Sequence, residues 1–403
     1  MKPRAIADRV LALGAIDWDR RLFDSLIPLP DGTSYNAYLV QGSEKTVLLD
    51  AVDPTKREEL LAQLDSLPPI DLVVSHHAEQ DHSGVLPDVL ARFPAAKLVA
   101  STKAKGMLLD LLELPEERVV TVADGEELSL GDKTLRFHYM PYVHWPETMV
   151  TFLPQDRILF TCDLFGSHLA TSDLYADEAA VYEPAKRYYA EIMMPFRRAI
   201  ARHLEKVREI DPAIIAPSHG PVYKRPAFII DAYDDWVSGP PKNRVVLPYI
   251  TMHGSTGRMV DHLVGALAER GVGVEQFNLA ATDIGKLAVS LVDAATIVVA
   301  TPTVLGGPHP NVLAAVHLAA ALNPKLRFAA VIGSYGWGGK AVEQIAAVIS
   351  RADIEILDAV LCKGLPRNAD FAALDSLAEA IATRHRSLDL NGDEHRPWPP
   401  AFE

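Results

Sequence analysis

Cysteine is nearly missing from this chain: Cys162 and Cys362 are the only two among 403 residues. Two thiols so far apart cannot make a four-cysteine iron site, and they supply no disulfide framework, which points to a reducing compartment. A basic excess is missing too. Lysine and arginine number 39 against 53 acidic residues, a net charge of -14, which argues against nucleic acid or an anionic membrane surface as the main partner. No apolar run is long enough to span a bilayer. The apolar stretch Val10 to Ile16 runs straight into Asp17, Asp19, Arg20 and Arg21, a poor match to a signal peptide. The expectation is therefore a cytoplasmic protein with no membrane and no nucleic-acid partner. Repeats and low-complexity tracts are absent as well.

What is present is apolar sequence, 49% of the chain, enough for two domains that each bury a core without staples. The first ~240 residues alternate β-branched runs with amphipathic stretches. Strands are expected at Tyr35–Val40, Thr46–Asp50, Asp71–Ser75, Lys97–Ala100, Thr134–Tyr139, Met149–Leu153, Arg157–Thr161 and Ala213–Ala216. Helices are expected at Thr55–Leu67, Ser83–Arg92, Thr102–Leu112 and Glu183–Glu209. Hairpins mixed with helical connections make this an α+β layering. The segment Ser238-Gly239-Pro240-Pro241-Lys242-Asn243 reads as a linker. Beyond it the rhythm becomes strand, loop, helix, with strands at Arg244–Tyr249, Val274–Leu279, Thr296–Thr301, Arg327–Gly333 and Ile354–Leu357. Helices begin near Thr256, Thr282, Pro310, Gly339 and Phe371, which makes an α/β doubly wound sheet. Domains are thus expected at 1–240 and 244–390, followed by an extended polar arm at 391–403.

The most informative segment is Ser75-His76-His77-Ala78-Glu79-Gln80-Asp81-His82-Ser83-Gly84, after the strand Leu72-Val73-Val74 and opening a helix. A helix cap accounts for Asp81 alone. It does not account for His77, Glu79, Asp81 and His82 together, whose mutual repulsion and desolvation call for a cation. Further candidates stand at strand ends downstream: His144, Asp163 and His219. Each alone reads as an ordinary structural residue; at the ends of successive strands they join the first cluster.

This set resembles the metallo-β-lactamase fold, an αββα sandwich. Zinc hydrolases of that superfamily carry histidine where this chain has Glu79, and a carboxylate there is what the flavodiiron family has. A hard oxygen ligand beside nitrogens favours iron that cycles between Fe(II) and Fe(III) over zinc. By that resemblance His77, Glu79 and His144 hold one iron, Asp81 and His219 the other, and Asp163 bridges them. His82 is assigned beside the pair rather than on it, His168 to the substrate pocket, and His76 has no counterpart among the ligands.

In the second half, Thr251-Met252-His253-Gly254-Ser255-Thr256 joins a strand to a helix, where backbone N–H groups and hydroxyls can surround a phosphate. Lacking Lys or Arg at its turn, this loop suits a monoester such as FMN. Thr301-Pro302-Thr303-Val304-Leu305-Gly306 and Ser334-Tyr335-Gly336-Trp337-Gly338 follow the third and fourth strands, beside the switch point. Tyr335 and Trp337 can lie against a flat ring while the glycines admit its edge. These loops resemble a flavodoxin-like domain of the kind fused to flavodiiron enzymes, except that Leu305 stands where asparagine is common.

The resemblance covers about residues 1–390. It implies an oxidoreductase reducing O2 to water, NO to N2O, or both, at a non-haem diiron site fed through FMN. It also implies a head-to-tail homodimer or a dimer of dimers. The donor is expected to be separate: a rubredoxin-like protein, a flavin reductase or F420H2. The alternative is a dinuclear metallohydrolase with an accessory flavodoxin-like domain.

Overall fold

The computed structural model of the protein describes residues 2–349 and 354–390; the expected C-terminal arm lies outside them. The chain divides between Val237 and Ser238 into two compact units.

In the first unit a seven-stranded sheet runs in the order β1 (Arg4–Ala7), β2 (Val10–Asp17), β5 (Thr33–Gln41), β6 (Thr46–Leu49), β7 (Leu72–Val74), β8 (Lys97–Ser101) and β9 (Val119–Val122). Neighbours are antiparallel up to β6 and parallel from there on. A separate ribbon pairs β3 (Leu22–Phe23) with β4 (Ile27–Pro28). The second sheet is β10 (Glu127–Ser129), β11 (Thr134–Tyr139), β12 (Met149–Leu153), β13 (Ile158–Cys162) and β14 (Ile214–Pro217), antiparallel except for the last pair.

Side-chain alternation builds the layers. Tyr38, Val40, Val47, Leu49, Val74 and Val99 of the first sheet meet Phe137, Met149, Leu153, Ile158 and Phe160 of the second in one core. The intervening Ala37, Leu39, Leu48, Val73 and Leu98 point the other way, onto Leu60 and Leu64 of α1 (Arg57–Leu64), Val89 of α3 (Leu86–Arg92) and Leu108 of α4 (Thr102–Leu111). The outward residues of β12 and β13, such as Val150, Phe152 and Leu159, are buried as well. The layering is αββα, as the resemblance implied.

One strand was not anticipated, and three readings need correction. The apolar stretch at Val10–Ile16 is β2, a central strand whose alternation is masked because both of its faces are covered. The single helix expected over Glu183–Glu209 is broken into α5 (Glu178–Tyr188), a π turn at Tyr189–Met193, a 3-10 turn at Met194–Phe196 and α6 (Arg197–Ile210). Pro195 lacks an N–H and its ring collides with the preceding turn, so one straight helix cannot pass through it. The supposed linker is shorter than expected: α7 (Pro226–Ser238) ends on Ser238 and β15 (Lys242–Tyr249) begins at Lys242. The expected helix at Ser83–Arg92 is shortened to α3, with Pro87 in its first turn, while Ser83 closes the separate short α2 (Gln80–Ser83).

The second unit is a parallel sheet ordered β16 (Gly273–Asn278), β15, β17 (Ala294–Val304), β19 (Phe328–Tyr335), β20 (Glu355–Ile356), with β21 (Val360–Lys363) also on β19. A short β18 (Gly307–Pro308) folds back on β17. By chain position the order is 2-1-3-4-5, the flavodoxin-like doubly wound order. On one face Met259, Val260 and Leu263 of α8 (Ser255–Ala268) pack with Leu374, Ala378 and Ile381 of α12 (Asn368–Ser387) against Leu247, Val298 and Ile332. The helices α9 (Ile284–Asp293), α10 (Pro310–Ala321) and α11 (Ala341–Ile349) contact β15, β17 and β19.

His385 closes this unit. Asn243 donates through its amide nitrogen to the Gly271 carbonyl, so its oxygen faces His385 Nδ1 at 2.8 Å. Nε2 meets the Thr296 hydroxyl at 2.7 Å. One nitrogen donates and the other accepts, which suits a neutral ring, and burial lowers its pKa to about 4. In the unfolded chain the same group titrates near 6.5. The stability it contributes is present above 6.5 and is lost as pH falls from there through about 4, a change of at most about 3 kcal/mol. Denaturation midpoints measured across that window should fall with pH, and the fall should shrink in His385→Gln.

Candidate metal centre and cofactor loops

All the candidate ligands sit at strand ends along one edge of the sandwich. His77 and Glu79 lie between β7 and α2, and Asp81 and His82 lie within α2. Asp163 follows β13, His219 follows β14, and His144 lies between β11 and β12. The His76–Glu79 loop is pinned by its own backbone partners. Ser75 Oγ donates to the His77 carbonyl at 2.9 Å, Ser83 Oγ to that of Ala78 at 2.7 Å, and Met149 N–H to that of His76 at 3.0 Å. Cys162 has φ 51°, a conformation costly for an ordinary residue. It turns the chain off the strand just before Asp163.

The side chains form two sets. Glu79 Oε2 is 3.0 Å from His77 Nε2 and 3.1 Å from His144 Nε2, and Asp163 Oδ2 is 3.6 Å from each. Asp163 Oδ1 turns the other way, 3.0 Å from His82 Nε2 and 3.4 Å from His219 Nε2. Asp81 completes that set, 3.1 Å from His219 and 3.4 Å from His82. The ligating atoms of His77, Glu79, His144 and Asp163 lie within 4.8 Å of one another, and so do those of Asp81, His82 and His219.

These contacts are close without being hydrogen bonds in every case. Both oxygens of Asp81, both of Asp163, and His82 Nε2 are buried with no partner of acceptable hydrogen-bond geometry. Their lone pairs find no well-placed hydrogen, which leaves them available to an ion at a point within each set. Two ligands about 2.1 Å from one ion at right angles stand about 3.0 Å apart, so spacings of this size fit a metal at each point. His82 departs from expectation here. It lies within the Asp81 set as closely as His219 does.

The electrostatics report the same demand for positive charge. Burial disfavours protonating these imidazoles, yet the carboxylates outweigh it. Hydrogen bonds to Glu147 and Glu79 raise His77 to about 9, and contacts with Asp163 and Glu79 raise His144 to about 9. The charges of Asp163 and Asp81 raise His82 to about 9, and contacts with both raise His219 to about 10. Burial would likewise raise the acids. Instead His144 and His77 hold Glu79 well below the carboxylate range, and His82 with its neighbours does the same to Asp163. Protons on the histidines occupy the role a divalent cation would take.

An outer layer that the sequence did not reveal orients the ligands. Glu147 Oε1 accepts from His77 Nδ1 at 2.7 Å and from the Ala78 N–H at 3.0 Å. The Ser34 carbonyl accepts from His219 Nδ1 at 2.7 Å. Asp50 accepts from the His76 N–H at 2.8 Å, from His76 Nδ1 at 2.7 Å and from the Ser218 hydroxyl at 3.3 Å, joining the loop after β7 to the loop after β14. His76, whose Nε2 meets Thr151 Oγ1 at 2.6 Å, is thus a strut. A carboxylate ending a strand and another three residues after His144 were the available signals, but sequence alone shows neither burial nor partner.

His168 lies buried beside this centre, its ring 5.2 Å from that of His219 and 4.8 Å from that of Tyr188, with Phe23 at 5.4 Å. Nδ1 meets Thr33 Oγ1 at 2.9 Å and Nε2 is buried without a partner. Burial and the positive His219 hold its pKa well below the usual value, so the ring is neutral. Trp145 packs perpendicular to His77 at 4.8 Å, whereas Tyr142 is half exposed and stacks on Phe196.

In the second unit the three predicted loops form one rim. Gly254, at φ 87°, leads into α8, and Thr251 Oγ1 accepts from the Gly257 N–H at 3.1 Å. Thr256 and Ser334 hydroxyls meet at 3.0 Å, which joins the first loop to the third. The Lys340 N–H donates to the Gly306 carbonyl at 2.9 Å, which joins the third to the second. The residues Thr301–Val304 belong to β17, so the second loop is a tight turn on Leu305 and Gly306 before β18. A Cβ added at Gly254, Gly306, Gly336 or Gly338 would meet nothing within 4 Å. The rim therefore presents bare backbone to open space. Leu305 and Trp337 project from it 98% and 95% exposed, and Met252 is half exposed. Exposed apolar side chains over a glycine cradle fit a flat aromatic ring and a phosphate at the α8 N-terminus. Pro302 and Thr303 lie near the end of β17, Tyr335 ends β19, and His253 precedes the Gly254 cap of α8.

A family described as ODP family beta lactamase matches residues 33–220. The chain is 33% identical to a nitric oxide reductase of Moorella thermoacetica over 95% of this chain and 99% of that one. It is 33% identical to a coenzyme F420H(2) oxidase of Methanothermobacter marburgensis, over 88% and 91%. The solved rubredoxin oxygen:oxidoreductase of Desulfovibrio gigas superposes with a TM-score of 0.93 at 28% identity, covering 96% of this chain and 99% of that one. No helix among the described residues is long and apolar enough to cross a membrane.

Asp50 tests the outer layer without touching a ligand. Asp50→Ala leaves the His76 donors unpaired inside the protein, which should destabilise the first unit by about 3 kcal/mol. The check is the denaturant midpoint. An unchanged midpoint would mean the loops after β7 and β14 are held by other means.

Proposed function

The chain belongs to the flavodiiron protein family, and from that premise we propose that it reduces O2, NO or both at a pair of iron ions, with electrons relayed through FMN. The observation that carries this reading is the division of the buried ligands into two sets sharing Asp163, with Glu79 in the position that zinc hydrolases give to histidine. When bound, the flavin takes up electrons singly or in pairs and the iron pair delivers them to the gas.

The remaining roles belong to this chain's own residues. His77, Glu79 and His144 would hold one iron and Asp81, His82 and His219 the other, with Asp163 facing both sets. His82 joins the ligands in this reading because its Nε2 is 3.0 Å from Asp163 and 3.4 Å from Asp81 yet makes no hydrogen bond. Tyr188 and the neutral His168 wall the space beside His219 and exclude bulk water. The rim from Thr251 to Thr256, Thr301 to Gly306 and Ser334 to Gly338 binds the flavin. Leu305 supplies apolar cover where an asparagine would supply a hydrogen bond. Electrons come from a separate donor, a rubredoxin-like protein, a flavin reductase or F420H2. A head-to-tail homodimer brings the flavin of one copy to the iron of the other.

The reading is tested by mixing fully reduced, iron- and FMN-loaded protein with O2, and separately with NO, in an anaerobic stopped-flow instrument. Flavin reoxidation should be fast with at least one gas. If neither reoxidises it within seconds, the reductase assignment fails. Metal analysis supplies the second check. Glu79→His should replace iron with zinc and abolish gas reduction, and His82→Asn should lower iron from two per chain towards one. Full iron content and full activity in Glu79→His would remove the argument for that residue.

A further inference from the structure

At the level of direct ligands the two halves of the centre are matched. Each has two imidazole nitrogens, one carboxylate of its own and one oxygen of Asp163. What differs lies one layer out. His77 donates through Nδ1 to Glu147, a carboxylate whose side chain is fully buried, at 2.7 Å. His219 donates through Nδ1 to a neutral peptide carbonyl, that of Ser34, at the same 2.7 Å. Among the described residues no carboxylate pairs with Nδ1 of His82, His144 or His219. The second oxygen of Glu147 is buried without a hydrogen-bond partner, so little besides His77 and the Ala78 N–H balances its charge. Asp50 is a second buried carboxylate nearby, but its oxygens are taken up by His76 and Ser218 and it bonds no ligand.

A carboxylate accepting a ligand imidazole's proton strengthens that imidazole as a donor, more than a carbonyl does. It also sets a fixed negative charge closer to one metal position than to the other in a medium that screens poorly. We propose that Glu147 makes the Glu79 side the more electron-rich of the two iron positions. In the half-oxidised protein Fe(III) then sits with His77, Glu79 and His144, and Fe(II) with Asp81, His82 and His219. The inference rests on the diiron reading above. The step is a single electron leaving the diferrous pair for an outer-sphere oxidant of the ferricyanide class, which becomes ferrocyanide. The Glu147–His77 hydrogen bond persists throughout, and no bond to iron is made or broken. Glu147 is thus a positioning residue that acts through His77.

The test uses the full chain, loaded with FMN and 57Fe, reduced anaerobically and titrated with ferricyanide under electrochemical and Mössbauer observation. E147Q keeps the shape and removes the charge. Its preference for Fe(III) should weaken about tenfold, raising the midpoint of the first iron oxidation by about 59 mV. The quadrupole splitting of the ferric component should change while that of the ferrous component stays put. E147D, which keeps a charge but withdraws it, should give a smaller rise, and it serves alone if E147Q does not fold. An iron-replete variant with an unmoved midpoint, or a change confined to the ferrous component, overturns the inference and leaves the diiron reading standing. Wild-type protein that takes up zinc in place of iron overturns both.

Discussion

The convergence of buried carboxylates on buried imidazoles around Asp163 is the constraint from which the rest of the first unit follows. Asp81, Glu79 and Asp163 approach four histidines at 3.0 to 3.6 Å in a region almost closed to water. Such a cluster is tolerable only if positive charge enters it. Protons on the histidines can meet that need, which is why all four titrate near 9 to 10 despite burial. The unpaired geometry of the Asp81 and Asp163 oxygens shows that protons meet it imperfectly. A metal ion in each set would supply the positive charge that protons deliver only in part.

A site held to this tolerance has to sit on a frame that does not yield. The ligands hang from the ends of β7, β13 and β14 and from the β11–β12 connection, and these strands are anchored by a core common to both sheets. Loops would drift if only their ends were fixed. Here Asp50 and Glu147 cross between loops, so that the segments after β7, β11 and β14 are referenced to one another. One of these two carboxylates, Glu147, is also the one that makes the surroundings of the centre unsymmetrical. Support and electronic tuning come from one set of bonds.

The second unit solves an opposite problem. Its rim must admit a large flat group, and it does so by having little there: glycines that open on empty space, two apolar side chains standing almost wholly exposed, and hydroxyls bonded to the loops themselves. Where the first unit is organised by charge that must be neutralised, the second is organised by surface that must be covered. A gas reductase needs both, since electrons have to be stored at one place and spent at another.

Much of this was legible in the sequence. The ligand-bearing loop stood out because four ionisable side chains in six residues have no ordinary explanation, and the second unit announced itself by its strand–loop–helix rhythm. Element ends were mostly readable to within a few residues. What escaped the reading were features without a local signature. Two-sided burial hid the alternation of β2, and a proline at position 195 broke a helix whose apolar period continued across it. Spacing along the chain could name His77, Glu79, Asp81, His82, His144, Asp163 and His219 as candidates. It could not divide them into two sets, draw His82 in among them, or place Glu147 behind His77. Those outcomes depend on which strand ends share an edge and which way each side chain turns there. Residue type and local pattern are properties of the chain, whereas distance, burial and partnership between residues tens of positions apart come into being only when the two sheets close on each other.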